Sequence, residues 1–357
     1  MFTLILPAAG ASTRYPNMRP KWSLTHPNGE LMIVEGMSGI DLSNFDRIVM
    51  TAMRYDVVKY GLQTAIYDSF EKFGLPFELI GLDTPTSSQS ETVAITIQKA
   101  NIEGEIYIKD CDDYFVTGPI EPNMVSVYSL YDMEEVIAKN KSYVTVDHLE
   151  NVTNIVEKRI ISDKFCCGGY SFSSAEQFVE TFKALKATQS FSRPAQSTDP
   201  EIFISHVIFE QVLDGKLFKT SKVTNYEDWG TLADWNKYKE RYKTIFIDLD
   251  GVLVNSSSEM FEPIWGTTGA IQENVDIINE MYDSGTVRVI ITTSRKSSFK
   301  EVTLKQLDRL DIRYHQIIFD LMHCERVLVN DYSPTNSFPT ATAVNMVRNS
   351  HDLKELI

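Results

Sequence analysis

Short apolar runs rich in Ile, Val and Leu alternate with helix-period segments along most of the chain, and this alternation restricts the fold more than any other feature. A brief apolar run bounded by turn residues reads as a buried strand, and the amphipathic segment after it as a helix packed on the sheet. The pattern predicts strands at residues 3–7, 47–51, 78–81, 105–109, 143–146, 154–158 and 168–172. Helices are expected at 57–73, 92–99, 174–185 and 202–213. Residues 187–200, dense in Ser, Thr, Gln and Pro, read as a loop.

A second alternation follows a polar aromatic segment at 233–242, which reads as a linker helix. Its strands are expected at 244–249, 287–292, 316–319 and 327–329, with helices at 275–282 and 299–310. A chain of 357 residues is too long for one ordinary core. The expected organisation is therefore two α/β domains, 1–238 and 239–357.

Charge narrows the partners. A formal net charge of −15 repels a phosphate backbone, so nucleic acid is not an expected partner. No apolar run reaches the ~18–20 residues that span a bilayer. The apolar start lacks a basic leader and reads as a first strand, which implies a cytoplasmic protein. Cys111, Cys166, Cys167 and Cys324 form neither a CxxC pair nor a zinc-like spacing with the histidines, and read as reduced thiols.

The first strand runs into Ala8, Ala9, Gly10, Ala11, Ser12, Thr13 and Arg14, with Pro20-Lys21 downstream. Small residues let backbone N–H groups approach a triphosphate, and Arg14 and Lys21 can neutralise it. A second strand ends in Lys109-Asp110-Cys111-Asp112-Asp113. Acids this close repel one another unless a cation sits among them, and Mg²⁺ prefers one or two carboxylates plus substrate phosphates.

Small-residue loop, Thr-Arg, Pro-Lys and a strand-end acid cluster, in this order, resemble the sugar-phosphate nucleotidyltransferases over roughly residues 1–240. The resemblance implies a Rossmann-like mixed sheet and Mg²⁺ held by Asp110, Asp112 and Asp228, the last from Asp228-Trp229-Gly230-Thr231. It places the sugar phosphate on Glu157, Lys158 and Gly169, and makes Gln89 the candidate reader of the nucleobase edge. The Lys-Asp-Cys-Asp segment and Thr25-His26-Pro27-Asn28-Gly29 look closest to members linked to bacterial capsule and surface-glycan synthesis. Several of these use CTP, which favours CTP over UTP or GTP.

The string Thr244-Ile245-Phe246-Ile247-Asp248-Leu249-Asp250-Gly251 is an apolar strand ending in Asp-x-Asp-Gly. It resembles the first motif of the haloacid-dehalogenase superfamily, implying a capless, doubly wound parallel sheet and a phosphatase. In that resemblance Asp248 is the nucleophile and Asp250 the general acid/base; both are also metal ligands, and Mg²⁺ bridges Asp248 and the substrate phosphate. Thr293 matches the phosphate-binding hydroxyl, with Thr292 one step away, and Asp331 the last metal ligand beside Asn330. Only about 40 residues separate Asp250 from Thr293, which leaves no room for a large cap.

The third motif departs from the pattern. Where a lysine is expected, residues 320–326 contain none, and His323, Arg326 or Lys305 is left to supply the charge. The resemblances together imply a bifunctional enzyme with one Mg²⁺ in each domain, acting on a nucleoside triphosphate and a sugar or polyol phosphate, with a homo-oligomer compatible. The competing expectation is a nucleotidyltransferase whose C-terminal domain is an inactive assembly or regulatory module.

Overall fold

A computed structural model describes the chain except residues 11–14, 16–17, 134–139, 192–200, 258–264 and 332–339, and the side chains of 189–191. The chain divides into two compact units, Met1–Trp235 and Asn236–Ile357.

In the first unit the elements follow as β1 Phe2–Ala8, α1 Met32–Met37, β2 Arg47–Met53, α2 Arg54–Lys59, α3 Gln63–Glu71, β3 Phe77–Leu82, α4 Gln89–Lys99 and β4 Glu105–Lys109. Then come β5 Asp113–Val116, β6 Met124–Ser129, β7 Tyr143–Val146, β8 Val152–Val156, β9 Lys164–Phe172, α5 Ala175–Phe191, α6 Ile204–Leu213, β10 Lys219–Lys222 and β11 Thr224–Asp228. The main sheet runs β10-β6-β9-β4-β1-β2-β3, with β7 and β8 attached beside β9. Strands β4, β1, β2 and β3 are parallel neighbours, while β9 runs antiparallel to β4 and β6.

Both faces of the central strands are buried, which is why they read as unbroken apolar runs rather than as polar–apolar alternation. Leu4 and Leu6 enter one core with Met50, Tyr107 and Phe70, whereas Ile5 enters the other with Val49, Ile108, Val93 and Phe178. Each such side chain contributes about 1.5–3 kcal/mol when fully buried.

The expected helix 57–73 is two helices. Gly61, at φ +63°, ends the first by donating to the Val58 carbonyl at 3.2 Å, the usual role of a glycine just past a helix end. Residues 187–191, expected as loop, continue α5, and 192–200 lie outside the described residues. Strand β8 stops at Val156, so Glu157 and Lys158 sit in a turn, Lys158 at φ +53°.

The linker helix is α7, Leu232–Glu240. The second unit contains β12 Lys243–Asp248, α8 Gln272–Asp283, β13 Val287–Thr292, α9 Lys300–Arg309, β14 Gln316–Ile318 and α10 Leu353–Leu356. Its described strands form a parallel sheet in the order β12-β13-β14. The strands follow one another in chain order, with α8 and α9 in the two crossovers between them. Among the described residues no further strand pairs with the free edge of β12, so the expected doubly wound arrangement is not seen there.

The missing turn of the winding is the expected strand 327–329. Val327, Leu328 and Val329 are 76%, 55% and 87% exposed and belong to no ladder. A three-residue apolar run becomes a strand only if a neighbour supplies pairing, and β12 pairs with β13 alone among the described strands. Phe246, on β12, is correspondingly 53% exposed.

Candidate active site

The carboxyl ends of β1 and β4 lie side by side at the middle of the main sheet, the place where open α/β sheets form crevices. The chain leaves β4 through Asp110, Cys111 and Asp112 and turns into β5, which pairs antiparallel with β11. That pairing sets Asp228 opposite Asp113 and joins a distant acid to the local cluster. The Trp229 N–H donates to the Asp112 carbonyl at 2.9 Å, and the Tyr15 hydroxyl donates to the Trp229 carbonyl. Trp229 itself is buried against Trp235 and His26.

Four carboxylates and three amines share this centre. Lys21 lies 2.5 Å from Asp112, and Lys141 lies 2.5 Å from Asp228. Lys109, fully buried, pairs with Asp113 and also donates to the Asp110 and Asp113 carbonyls at 2.9 and 3.0 Å. Asp110 is the carboxylate of the four without an ion-pair partner among the described residues; its Oδ1 accepts from the Gln89 amide. Burial, then the neighbouring Asp112, pushes the Asp110 carboxyl up to about 6. Burial likewise drives the Asp113 carboxyl well above its ordinary range, against the pull of Lys109. Burial also pushes the Cys111 thiol up to about 12, so it is no nucleophile.

Oxygens of Asp110, Asp112 and Asp113 lie within 4.8 Å of one another, the one such group of potential metal ligands among the described residues. Among the described residues the four carboxylates outnumber the three amines, and a carboxylate without a cation there fits a hard divalent ion such as Mg²⁺. Asp228 stands outside this group, held by Lys141, and its Oδ1 accepts from the Gly230 N–H at 3.0 Å.

The other expected ligands fall less uniformly. Ala8 and Ala9 are buried and Gly10 is exposed, while Ala11, Ser12, Thr13 and Arg14 lie outside the described residues. Gln89 points its amide at Asp110. Glu157 is taken up by the Ser142 and Ser205 hydroxyls. Lys158 rests its amine 4.3 Å from the centre of the Phe203 ring. Gly169 is packed rather than open, for a Cβ there would meet the Tyr107 hydroxyl at 2.1 Å. The glycine beside the carboxylates is Gly168, whose added Cβ would lie 2.4 Å from Asp113 Oδ2.

Lys141, Tyr226 and Gly168 also line the centre without having been assigned to it from the sequence, and neither Lys109 nor Asp113 had been given a role of its own. Lys109 and Asp113 were visible inside the acid string, and the strand-interior position of Lys109 was the signal of a buried partner. Nothing local marked Lys141.

In the second unit Asp248 ends β12 and Asp250 follows in the turn. Arg326 donates to Asp248 Oδ1 at 3.0 Å and to the Thr292 hydroxyl at 3.1 Å, which sets a positive charge beside Asp248. His323 is exposed, and Lys305 pairs with Glu301. Arg295, only 1% exposed, grips both oxygens of Asp250 at 2.9 and 2.7 Å and is itself held by Thr303 and Gln306. Thr293 is buried with its hydroxyl 3.5 Å from Asp250, and the Thr292 hydroxyl donates to the Ile247 carbonyl at 3.2 Å. Asp331 is exposed, follows no strand, and forms no close acid group with Asp248 and Asp250. The expectation that a fourth strand presents it there is corrected.

No protein-family profile and no curated protein matches the sequence. Solved structures do. A nucleoside-diphosphate-sugar pyrophosphorylase from Vibrio cholerae RC9 is similar at a TM-score of 0.51 and 18% identity, over 66% of this chain and 98% of its own. An inositol-1-phosphate CTP transferase from T. maritima gives 0.50 and 15%, over 65% and 90%. A UDP-glucose pyrophosphorylase complexed with UDP-glucose gives 0.50 and 15%, over 68% and 99%. Identities this low speak for fold alone, and the fold is nucleotidyltransferase-like, with a large mixed sheet. No described helix is long and apolar enough to cross a membrane.

Proposed function

We propose that Met1–Trp235 transfers a nucleotidyl group, CMP from CTP, to a sugar or polyol phosphate and releases pyrophosphate. The observation that supports this most is the buried centre in which three carboxylates have their own lysines and Asp110 has none among the described residues. Asp110 and Asp112, with Asp228, would hold Mg²⁺, whose charge offsets that of the triphosphate. An acceptor phosphate oxygen attacks the α-phosphorus, the bond to the bridging oxygen of the β-phosphate breaks, and its electron pair leaves with pyrophosphate. The protein's task is positioning and charge neutralisation. Lys21, already beside Asp112, and Arg14 serve the triphosphate. The preference for CTP follows the resemblance to enzymes of surface-glycan synthesis.

The test is to incubate the protein with each nucleoside triphosphate and a panel of sugar and polyol phosphates, and to identify products by mass. Pyrophosphate from none of the combinations would sink the reading. Asp110→Ala should abolish release.

For Asn236–Ile357 we propose a phosphate-monoester hydrolase serving the same cytoplasmic pathway, with Asp248 as nucleophile, Asp250 as acid/base and Mg²⁺ as cofactor. The contact of Arg326 with Asp248 supports it. The alternative, an inactive assembly or regulatory module, is favoured by the exposed Asp331 and by the grip of Arg295 on both Asp250 oxygens. Mg²⁺-dependent phosphate release that disappears in Asp248→Asn, with pyrophosphate formation intact, selects the hydrolase; absence of hydrolysis across the panel selects the module.

A further inference from the structure

Strand β3 ends the main sheet on one side, and no described strand pairs with its outer edge. The Ile48 N–H donates to the Pro76 carbonyl at 2.9 Å, which fixes the phase of the parallel β2–β3 ladder. Glu78, Ile80 and Leu82 therefore turn their backbone groups toward β2, while Phe77, Leu79 and Gly81 turn theirs outward. Among the described residues these outward groups have one partner, the Arg54 guanidinium, which donates to the Gly81 carbonyl at 3.3 Å.

The opposite end of the sheet is protected. Beyond β10 the Thr220 N–H donates to the Glu150 carbonyl at 3.1 Å. That strand also carries Lys219 and Lys222, charges of the kind that keep an edge from pairing. On β3 the one charged residue is Glu78, on the face where Ile80 and Leu82 pack with Val93 and Ile97 of α4.

The open edge is complementary to itself. In an antiparallel pair of two β3 strands centred on Leu79, this residue meets its own copy and Phe77 meets Gly81, twice over by symmetry. The outward groups then exchange about six hydrogen bonds. Phe77, Leu79 and Gly81 share one face, so a large ring lands beside the β3 residue that has no side chain. Phe77 stacks on Phe70 at 4.1 Å and meets the Tyr67 ring at 5.3 Å, and Tyr67 stays 43% exposed. A two-fold axis through the seam sets both α3 helices, each with its Tyr67, on the same side. On the other side Leu82, Glu91, Ile95 and Lys99 line a groove of about 300 Å³. Glu78 of the second copy lies opposite Ile80 and heads for this groove, where Lys99 offers the opposite charge.

We propose that the first unit dimerises through β3, two copies joining their sheets across an antiparallel seam centred on Leu79. The occupant of the edge is a second copy because an identical strand repeats the Phe77–Gly81 match on both sides of the centre. The inference does not depend on the reaction assigned to either unit.

The test uses the full chain in sedimentation equilibrium between about 1 and 100 µM, with hydrogen exchange read at the β3 amides. The wild type should dimerise, and the Phe77, Leu79 and Gly81 amides should exchange at least about 100-fold more slowly in the dimer than in dilute monomer. Leu79→Pro removes an N–H that points away from β2, so it spares the β2–β3 ladder. It should weaken association at least about 100-fold. Salt at about 0.5 M should tighten the dimer, because each copy carries a net charge of −15. A wild type that stays monomeric at about 100 µM, or a dimer whose three outward amides remain fast, overturns the proposal. So does a dimer that Leu79→Pro leaves intact, or one that salt dissociates, for each uses another surface. If Leu79→Pro does not fold, Leu79→Lys decides: it sets two ammonium groups face to face at the seam, and an unchanged dimer there overturns the proposal.

Discussion

Asp113 and Asp228 are register partners in the antiparallel β5–β11 ladder, and Gly168 lies against the first of them. Backbone pairing rather than side-chain attraction therefore assembles the acid centre. It brings acids together at a cost that Lys21, Lys109 and Lys141 offset.

Gly168 adopts φ +86°, and a Cβ there would sit 2.4 Å from Asp113 Oδ2 and 2.8 Å from Asp110 Cβ. Gly168→Ala combines a left-handed backbone with a collision inside the centre. It should lower stability by about 2–4 kcal/mol and weaken Mn²⁺ binding, read by denaturant titration and metal titration. Gly10→Ala, with nothing within 4 Å of the added carbon, should leave both nearly unchanged.

The raised Asp110 carboxyl fixes the sign of a pH effect. Its folded value of about 6 exceeds the unfolded value of 3.8, so between these limits the folded state holds more protons. Stability without metal should therefore fall as pH rises from 4 through 6, and Asp113 adds a slope of the same sign. Thermal midpoints in chelator at pH 5 and 7.5 measure it; Asp110→Asn should flatten the dependence. Mn²⁺ affinity should move the other way, dropping as pH falls below about 6.

The strands of the parallel core were legible because both faces are buried and each is a continuous apolar run, as with Ile48, Val49 and Met50 of β2. β10 and β11 were not, since Lys219–Lys222 and Thr224–Asp228 are polar segments held by pairing and not by their own pattern. The same physics misled in the opposite direction at 327–329, where an apolar run has no partner strand among the described residues. In the acid centre, Asp110, Asp112 and Lys21 had been singled out from local strings and lie together. Lys141 was not, because its role exists only after β11 is laid beside β5.

Lys109 and Asp113 form a buried ion pair whose removal should be strongly non-additive. Lys109→Met alone leaves Asp113 buried without its cation and should cost about 3–5 kcal/mol. Asp113→Leu alone strands the lysine to a similar degree. The double variant removes both charges and should be more stable than the sum of the singles by about 2 kcal/mol or more. Equilibrium unfolding of the four proteins gives the coupling directly.

Arg295 sets the last prediction, in the second unit. Its guanidinium is 1% exposed and spends its donors on Asp250, Thr303 and Gln306. Arg295→Lys keeps the charge but replaces a planar fork with a point donor, so it satisfies one of these groups and abandons the others. The loss should be about 2–3 kcal/mol, seen as faster hydrogen exchange at the β12 and β13 amides while β1 and β4 exchange as before. If the unit hydrolyses phosphate esters, Arg295→Lys also frees an Asp250 oxygen and changes the pH profile of hydrolysis. If the unit is an inactive module, the exchange rates move and no hydrolysis emerges, which separates the two readings with one substitution.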